Sequence, residues 1–349
     1  MGSFLLKRSG VMLLTALCLT FIVFWLTNLE PNLEKLTKSE GNMRMSDAQV
    51  HSWLQKNGYR QPLLKRYGEW LGVAPGWTRT DDKGKVTGRC IKRGVDLDNI
   101  PKFCGILQGD WGFSLVFKER IGGIIAEKLA LTGKLMLCVL AVMVPVSLVI
   151  GVIAGMREGT KTDRTLSGFS ILTTSTPEYV SGVILIVVFA SKFGGLRWFK
   201  GTAATAMENI TFENFTLPVI TLALYGMGYI ARMTRASMAE VMTEQYIRTA
   251  RLKGLSFSAV VLKHALRNAL IAPFTVLMLQ IPWLLTGVVI VETLFNYKGF
   301  GWTLVAAVGN NDIELLLACS VVAVLVVLMT QLISDIGYVF LNPRIRVSG

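Results

Sequence analysis

The chain has 349 residues, of which 52% are apolar and only 17% charged, and its mean hydropathy is +0.50. A soluble domain of this length usually carries about a quarter charged residues, so the composition points to a membrane protein. The net charge of +13 does not imply a nucleic-acid partner, because the basic residues flank apolar runs, where bilayer orientation accounts for them.

Crossing the hydrocarbon core takes about 20 apolar residues in a helix. Charge-free runs of about that length lie at 9–29, 135–156, 214–231, 268–291 and 315–334, and a sixth at 166–191 is interrupted only by Glu178. The first follows Lys7 and Arg8 in the basic-then-apolar order of a signal peptide. It is longer than the usual apolar core of one and lacks a small-residue cleavage site, which predicts an uncleaved first span. Six spans place both termini on one side. Basic residues gather before span one, between spans two and three (Arg157, Lys161, Arg164), between four and five (Arg232 to Arg267) and after span six (Arg344, Arg346), which makes that side cytoplasmic. The long stretch of about 30–130 is basic as well, but long loops translocate largely regardless of charge.

Inside the third run stands Pro177-Glu178. One reading makes Glu178 a functional carboxylate lining a pathway; the other is a helix break near the outer surface with Glu178 in water. Between runs four and five, residues 240–255 fit an amphipathic wheel. Glu240, Glu244, Arg248 and Arg251 share its polar face, Glu244 and Arg248 are spaced for an i,i+4 pair, and Val241, Met242, Tyr246 and Leu252 form the other side. Gly254 suits a helix C-terminus, and Ser256 or Ser258 suits the cap of the next helix, which sets Lys263 and Arg267 one turn apart. Pattern alone allows a helix–turn–helix on the cytoplasmic surface or a connector lying in the lipid interface. The short apolar piece 301–308 predicts a re-entrant or interfacial helix.

"YIRTARLKGLS" followed by "HALRNALIAP" resembles the cytoplasmic loop of ABC importer permeases in the dipeptide/oligopeptide/nickel branch. "NGYRQPLLKRYGEWL", "LQGDWGFSL", "STPEYVSGVILIVVF", "LPVITLALYGMGYIARMTRASM" and "VETLFNYKGFGWTLVAAVGNND" extend the resemblance, to the B-type permease, over most of the chain. It implies an all-α integral membrane protein with six transmembrane helices and a large periplasmic loop after the first, in a bacterial inner membrane. In that family the loop between spans four and five couples the permease to an ATPase subunit. Gly254 and Ala250 match the glycine and second alanine of the family's E-A-A-x-x-x-G motif, while Arg248 and Thr249 replace the glutamate and first alanine. The resemblance therefore implies ATPase-coupling roles for Glu244, Tyr246, Arg248, Thr249, Ala250, Arg251, Lys253, Gly254, Leu255 and Ser256, with Arg248 and Arg251 as the polar partners. It further implies a second permease, cytoplasmic ATPase subunits that bind ATP and Mg, and an external solute-binding protein.

The expected organisation is a first segment 1–30, a periplasmic segment 31–130 with an extension at 73–104, a core 131–341 containing the coupling loop 239–268, and a tail 342–349. The extension holds "DDKGK", a turn candidate, and Cys90 and Cys104. Outside the cytoplasm these two cysteines can oxidise, pinning a loop that contacts the binding protein or covers the entrance; otherwise it is an accessory loop with free thiols. "GMREGTKT" fails phosphate-loop spacing because Thr160 separates Gly159 from Lys161, so no cofactor is expected on this chain. Nor is a metal site, since only His51 and His264 are present and no Cys/His cluster has ligand spacing. The chain reads as a transport subunit rather than an enzyme. A stand-alone secondary transporter or channel would carry internal repeats or charged midplane residues, of which the sequence offers little.

Overall fold

The computed structural model describes residues 2–80, 86–91, 101–192 and 196–341. Its helices in chain order begin with α1 (Gly2–Thr27), α2 (Glu30–Glu40), α3 (Asp47–Lys56) and α4 (Leu63–Leu71). A hairpin of β1 (Thr78–Thr80) and β2 (Val86–Gly88) follows, antiparallel with Arg79 opposite Thr87. Then come α5 (Ile121–Met156), α6 (Lys161–Ser175), α7 (Glu178–Phe189), α8 (Phe212–Thr243), α9 (Gln245–Leu252) and α10 (Phe257–Ala259). A π-helical stretch (Val260–Ala265) leads into α11 (Leu266–Ala269), α12 (Ile271–Leu294), α13 (Phe300–Gly309) and α14 (Ile313–Leu341).

Four helices, α1, α5, α8 and α14, are long and apolar enough to cross a membrane, and up to six spans result if two bent pairs each count as one. The first pair is α6 and α7, which meet at 105°. The cause is local: Pro177 forces Thr176 out of the helical region, to φ −95° and ψ 119°, and then starts α7 with its fixed φ. The second bend corrects the unbroken span expected over 268–291. The helical segment ending at Ala269 meets α12 at 50° across Leu270. Pro273 has no N–H to return to the Ala269 carbonyl, so the chain restarts as a new helix in which proline occupies the tolerated first turn.

The stretch 30–130 is not a plain loop. Its described residues include α2, α3, α4 and the hairpin, and α5 already begins at Ile121, carrying Glu127, Lys128 and Lys134 on its leading turns. The hairpin also qualifies the all-α expectation. The "DDKGK" turn, residues 81–85, lies outside the described residues, as do Arg344 and Arg346.

The chain divides into two compact units. The larger comprises Met1–Arg8, Lys128–Thr303 and Val326–Gly349. Helix α8 runs through its core, with Leu222, Ile230 and Met238 fully buried. Leu135, Val139 and Met143 of α5 and Leu284, Val288 and Val291 of α12 complete that core. Glycines set the helix spacing: a Cβ on Gly151 would lie 2.5 Å from the Ala231 carbonyl oxygen, and one on Gly155 would lie 2.6 Å from that of Arg235.

The smaller unit comprises Ser9–Glu127 and Leu304–Leu325. Phe24, Leu33, Leu36, Leu54, Trp70 and Leu317 pack at its centre. Phe24 meets Tyr67 edge-on with centroids 5.4 Å apart. A capping box starts α3, Ser46 with Gln49, and Gly72 in the left-handed region ends α4. Asp312 accepts from the Ser114 hydroxyl at 2.6 Å and the Leu115 amide at 2.9 Å, and its other oxygen caps α14 through the Leu315 amide at 3.1 Å.

Candidate functional site

Helix α8 stops where Glu244 turns extended, with φ −65° and ψ 147°, and serves as the N-terminal flank of α9. The wheel drawn over 240–255 therefore breaks at Glu244. Glu240 belongs to α8 and Arg248 to α9, and among the described residues no ion pair joins Glu244 to Arg248. The buried side of α9 is Ile247 and Ala250, which pack with Met238, Val260, Val261, Ala265 and Ala269. This corrects the expected apolar side: Val241 and Met242 do pack against that cluster, but Tyr246 is exposed and Leu252 is 80% exposed. Three residues apart, Ile247 and Ala250 keep one inward face while the rest of the helix looks out.

Gly254 adopts φ 74° and has open space where a side chain would stand. Ser256 then caps α10, its hydroxyl accepting from the Ala259 amide at 3.4 Å. Tyr246 ties the two arms of the module together, accepting at its hydroxyl from the Asn268 amide group at 2.9 Å. The result is a rigid base and an exposed rim. Arg248, Thr249, Arg251, Lys253, Gly254, Leu255 and Ser256 all stand on the rim, as do Glu244 and Tyr246, whereas Ala250 belongs to the base. Leu252, Leu255, Phe257 and Leu262 are exposed apolar side chains among those cations. Lys263 and Arg267 are exposed too, Lys263 within the π-helical stretch and Arg267 on α11.

Pro177 and Glu178 sit at the corner between α6 and α7, Pro177 exposed and Glu178 half-buried in the first turn of α7. Cys90 and Cys104 are bonded, with Cα atoms 5.5 Å apart, and both are buried within the smaller unit. A Cβ on Gly76 would come within 2.6 Å of the Cys90 sulfur.

Two constellations escaped the sequence reading. Asp163, 3% exposed, holds Arg235 of α8 at two points and also accepts from the Gly159 amide at 3.0 Å and the Ser167 hydroxyl at 3.1 Å. The pattern T-x-x-D at Thr160 to Asp163 is a helix-start signal that could have drawn attention to it, although nothing in it names Arg235 as the partner. The second is Glu292, fully buried near the end of α12. It accepts from the Thr132 hydroxyl and from the Trp302 amide at 2.9 Å, while Thr132 accepts from the Phe300 amide at 2.7 Å. One carboxylate and one hydroxyl thus satisfy the orphan amides at the start of α13. An acid within "GVVIVETLF" was the available signal.

Relatives cover the whole of this architecture. The oligopeptide transport system permease protein AppB of Bacillus subtilis (strain 168) is 28% identical over 353 residues, 99% of this chain and 100% of its own. The di/tripeptide transport system permease protein DppB of Pseudomonas aeruginosa (strain UCBPP-PA14) is 29% identical over 373 residues, 99% of each chain. The glutathione transport system permease protein GsiC of Escherichia coli (strain K12) is 34% identical over 240 residues, 69% of this chain and 76% of its own. Residues 147–347, which span α6 to α14, match the family described as binding-protein-dependent transport system inner membrane component. The chain belongs to that family of membrane components of binding-protein-dependent transport systems.

Proposed function

We propose that this chain is the permease subunit of an ATP-driven importer that moves peptides or similar small solutes across a bacterial inner membrane. The observation that carries the reading is the module of α9, Gly254 and α10: a packed base of Ile247, Ala250 and Val261 beneath a rim of exposed Leu252, Leu255 and Phe257 between Arg248, Arg251 and Lys253. An apolar centre with a polar rim is the anatomy of a protein interface, and here it suits a groove on a cytoplasmic ATPase. The peptide class follows from the names of the relatives.

In this reading each bent pair is one crossing, so six spans leave both termini cytoplasmic and residues 31–130 periplasmic. The core is 131–341 with its coupling loop at 239–268, between a first segment 1–30 and a tail 342–349. A second permease completes the pathway, a solute-binding protein delivers cargo, and ATP and Mg bind the ATPase subunits. Closure of the ATPases pushes on Glu244 to Ser256 and rotates the spans between inward- and outward-facing states. Glu178, at the corner of a broken span, lines the pathway, and the disulfide-pinned extension 73–104 meets the binding protein.

The test is uptake of a labelled tripeptide into proteoliposomes containing the full assembly. Uptake that needs ATP on the ATPase side, and is lost in Leu252→Asp together with ATPase retention, is the expected result. Uptake by this chain alone, indifferent to ATPase and ATP, rejects the reading in favour of a stand-alone transporter.

A further inference from the structure

The smaller unit contains a cavity of about 220 Å³ whose walls alternate rings and charges. Trp53, Tyr59, Trp70 and Trp77 supply the rings. Glu40, Glu69 and Glu314 line it together with Arg66 and Arg89.

Arg66 is already engaged. Its Nη2 donates to the Asn28 side-chain oxygen, and its guanidinium lies 5.1 Å from the Tyr59 ring centroid and 5.9 Å from that of Phe24. Glu314 accepts from the Phe113 amide at 2.9 Å. Glu69 is different: it is 2% exposed, and among the described residues its Oε1 has no hydrogen-bond partner. A buried carboxylate oxygen left unpaired is costly in a folded protein, and such groups are ordinarily satisfied. Burial also pushes the Glu69 carboxyl above its ordinary range, although Lys65, Arg89 and Arg66 work against it. Among the described residues no group of His, Cys, Asp and Glu is arranged to hold a metal ion. Aromatic faces beside carboxylates are the chemistry that recognises ammonium groups. The volume suits a small molecule, since an apolar cavity of ~150 Å³ already accepts benzene.

We infer that this cavity is a binding site for a small organic ammonium ion, with Glu69 Oε1 accepting from the ammonium and the tryptophan rings enclosing its carbon chain. A free amine and the N-terminus of a short peptide present the same group. The inference does not depend on the transport reading, because every residue it uses lies in the smaller unit.

Calorimetric titration of the full chain in lipid nanodiscs, with n-butylammonium and glycylglycine amide as probes, tests it. Saturable binding of either probe, with n-butanol and N-acetylglycylglycine amide silent, is expected. Binding of glycylglycine amide alone assigns the site to peptide N-termini, and binding of n-butylammonium assigns it to free amines. Glu69→Gln should weaken the bound probe about tenfold, the effect of one lost charge-assisted hydrogen bond. Trp53→Leu should weaken it as well, and serves if Glu69→Gln fails to fold. Neither probe binding the wild-type chain, or binding undiminished in the folded variants, overturns the inference.

Discussion

The guanidinium of Arg235 holds the carboxylate of Asp163 by two parallel bonds, Nε to Oδ1 at 2.8 Å and Nη2 to Oδ2 at 2.8 Å. Glu158 adds a longer contact to the same guanidinium at 3.6 Å. This fork fastens the start of α6 to α8 on the stretch of α8 that leads into the module. Asp163→Asn leaves a guanidinium facing a neutral amide and should cost on the order of 2 kcal/mol. Arg235→Lys keeps the charge but loses the two-point geometry and should cost less. Thermal unfolding of the purified chain checks the ranking.

Gly254 offers a backbone test without a steric one, because its surroundings are open while its φ is 74°. Gly254→Asn should be nearly silent, since asparagine tolerates the left-handed region. Gly254→Val should strain the turn by about 1–2 kcal/mol. Comparing ATP hydrolysed per peptide imported in the two variants separates them: the valine chain should hydrolyse without transporting. Equal coupling in both denies the turn its role.

Leu252 lies 80% exposed on the rim, so truncating it removes nothing from the core. Leu252→Ser should leave the melting temperature unchanged and weaken retention of the ATPase about tenfold or more, as expected for one leucine withdrawn from an interface. A shared drop in melting temperature contradicts the exposed placement.

The Cys90–Cys104 bond closes a sequence separation of 14 residues. Replacing both cysteines by serine should destabilise the smaller unit by about 3 kcal/mol in the chain-entropy description. Gly76→Ala should act on the same place without touching sulfur, because its new methyl would meet the Cys90 sulfur at 2.6 Å. Limited proteolysis between α4 and α5 reads both; unchanged cleavage in the cysteine variant would discount the bond as a stabiliser.

Acidity should favour the smaller unit. Burial raises the carboxyls of Glu69 in α4 and Glu40 in α2, so the folded chain binds these protons more tightly than the unfolded chain. The resulting stability is fully present below the unfolded value of 4.5 and fades as pH rises through the folded values. Unfolding followed by tryptophan fluorescence should show a higher midpoint at pH 5 than at pH 7. In Glu69→Gln that difference should shrink; if it does not, Glu69 is not its source.

Apolar runs announced the long helices because a charge-free stretch has few other uses, and Pro177 announced the corner that follows α6. The break at Leu270 was harder to see, since Pro273 stands three residues beyond it, in a position where helices accept proline. No proline or glycine marks Glu244, so a wheel drawn through it looked continuous although the backbone turns extended there. In the module, the glycine and the serine cap were legible from local chemistry. The outward aim of Leu252 was not, because it depends on which face the distant Val260 and Ala265 cover. The Asp163–Arg235 fork joins residues 72 apart, and Arg235 by itself is indistinguishable from the basic residues that orient a loop. Helices α2, α3 and α4 of the smaller unit were hidden by charge, which reads as loop until their apolar faces find one another.

The glycines of α5 have a mechanical consequence. Where Gly151 and Gly155 face the Ala231 and Arg235 carbonyls, and Gly228 faces that of Ser170, main chain bears directly on main chain. Thr234, Met238 and Thr173 stand beside these contacts, and close-packed interiors yield little. Close backbone approach thus keys α5 and α6 to α8. The bends lie at two corners, at Thr176–Pro177 and at Leu270, each beside a proline, Pro177 and Pro273, that has no N–H to give.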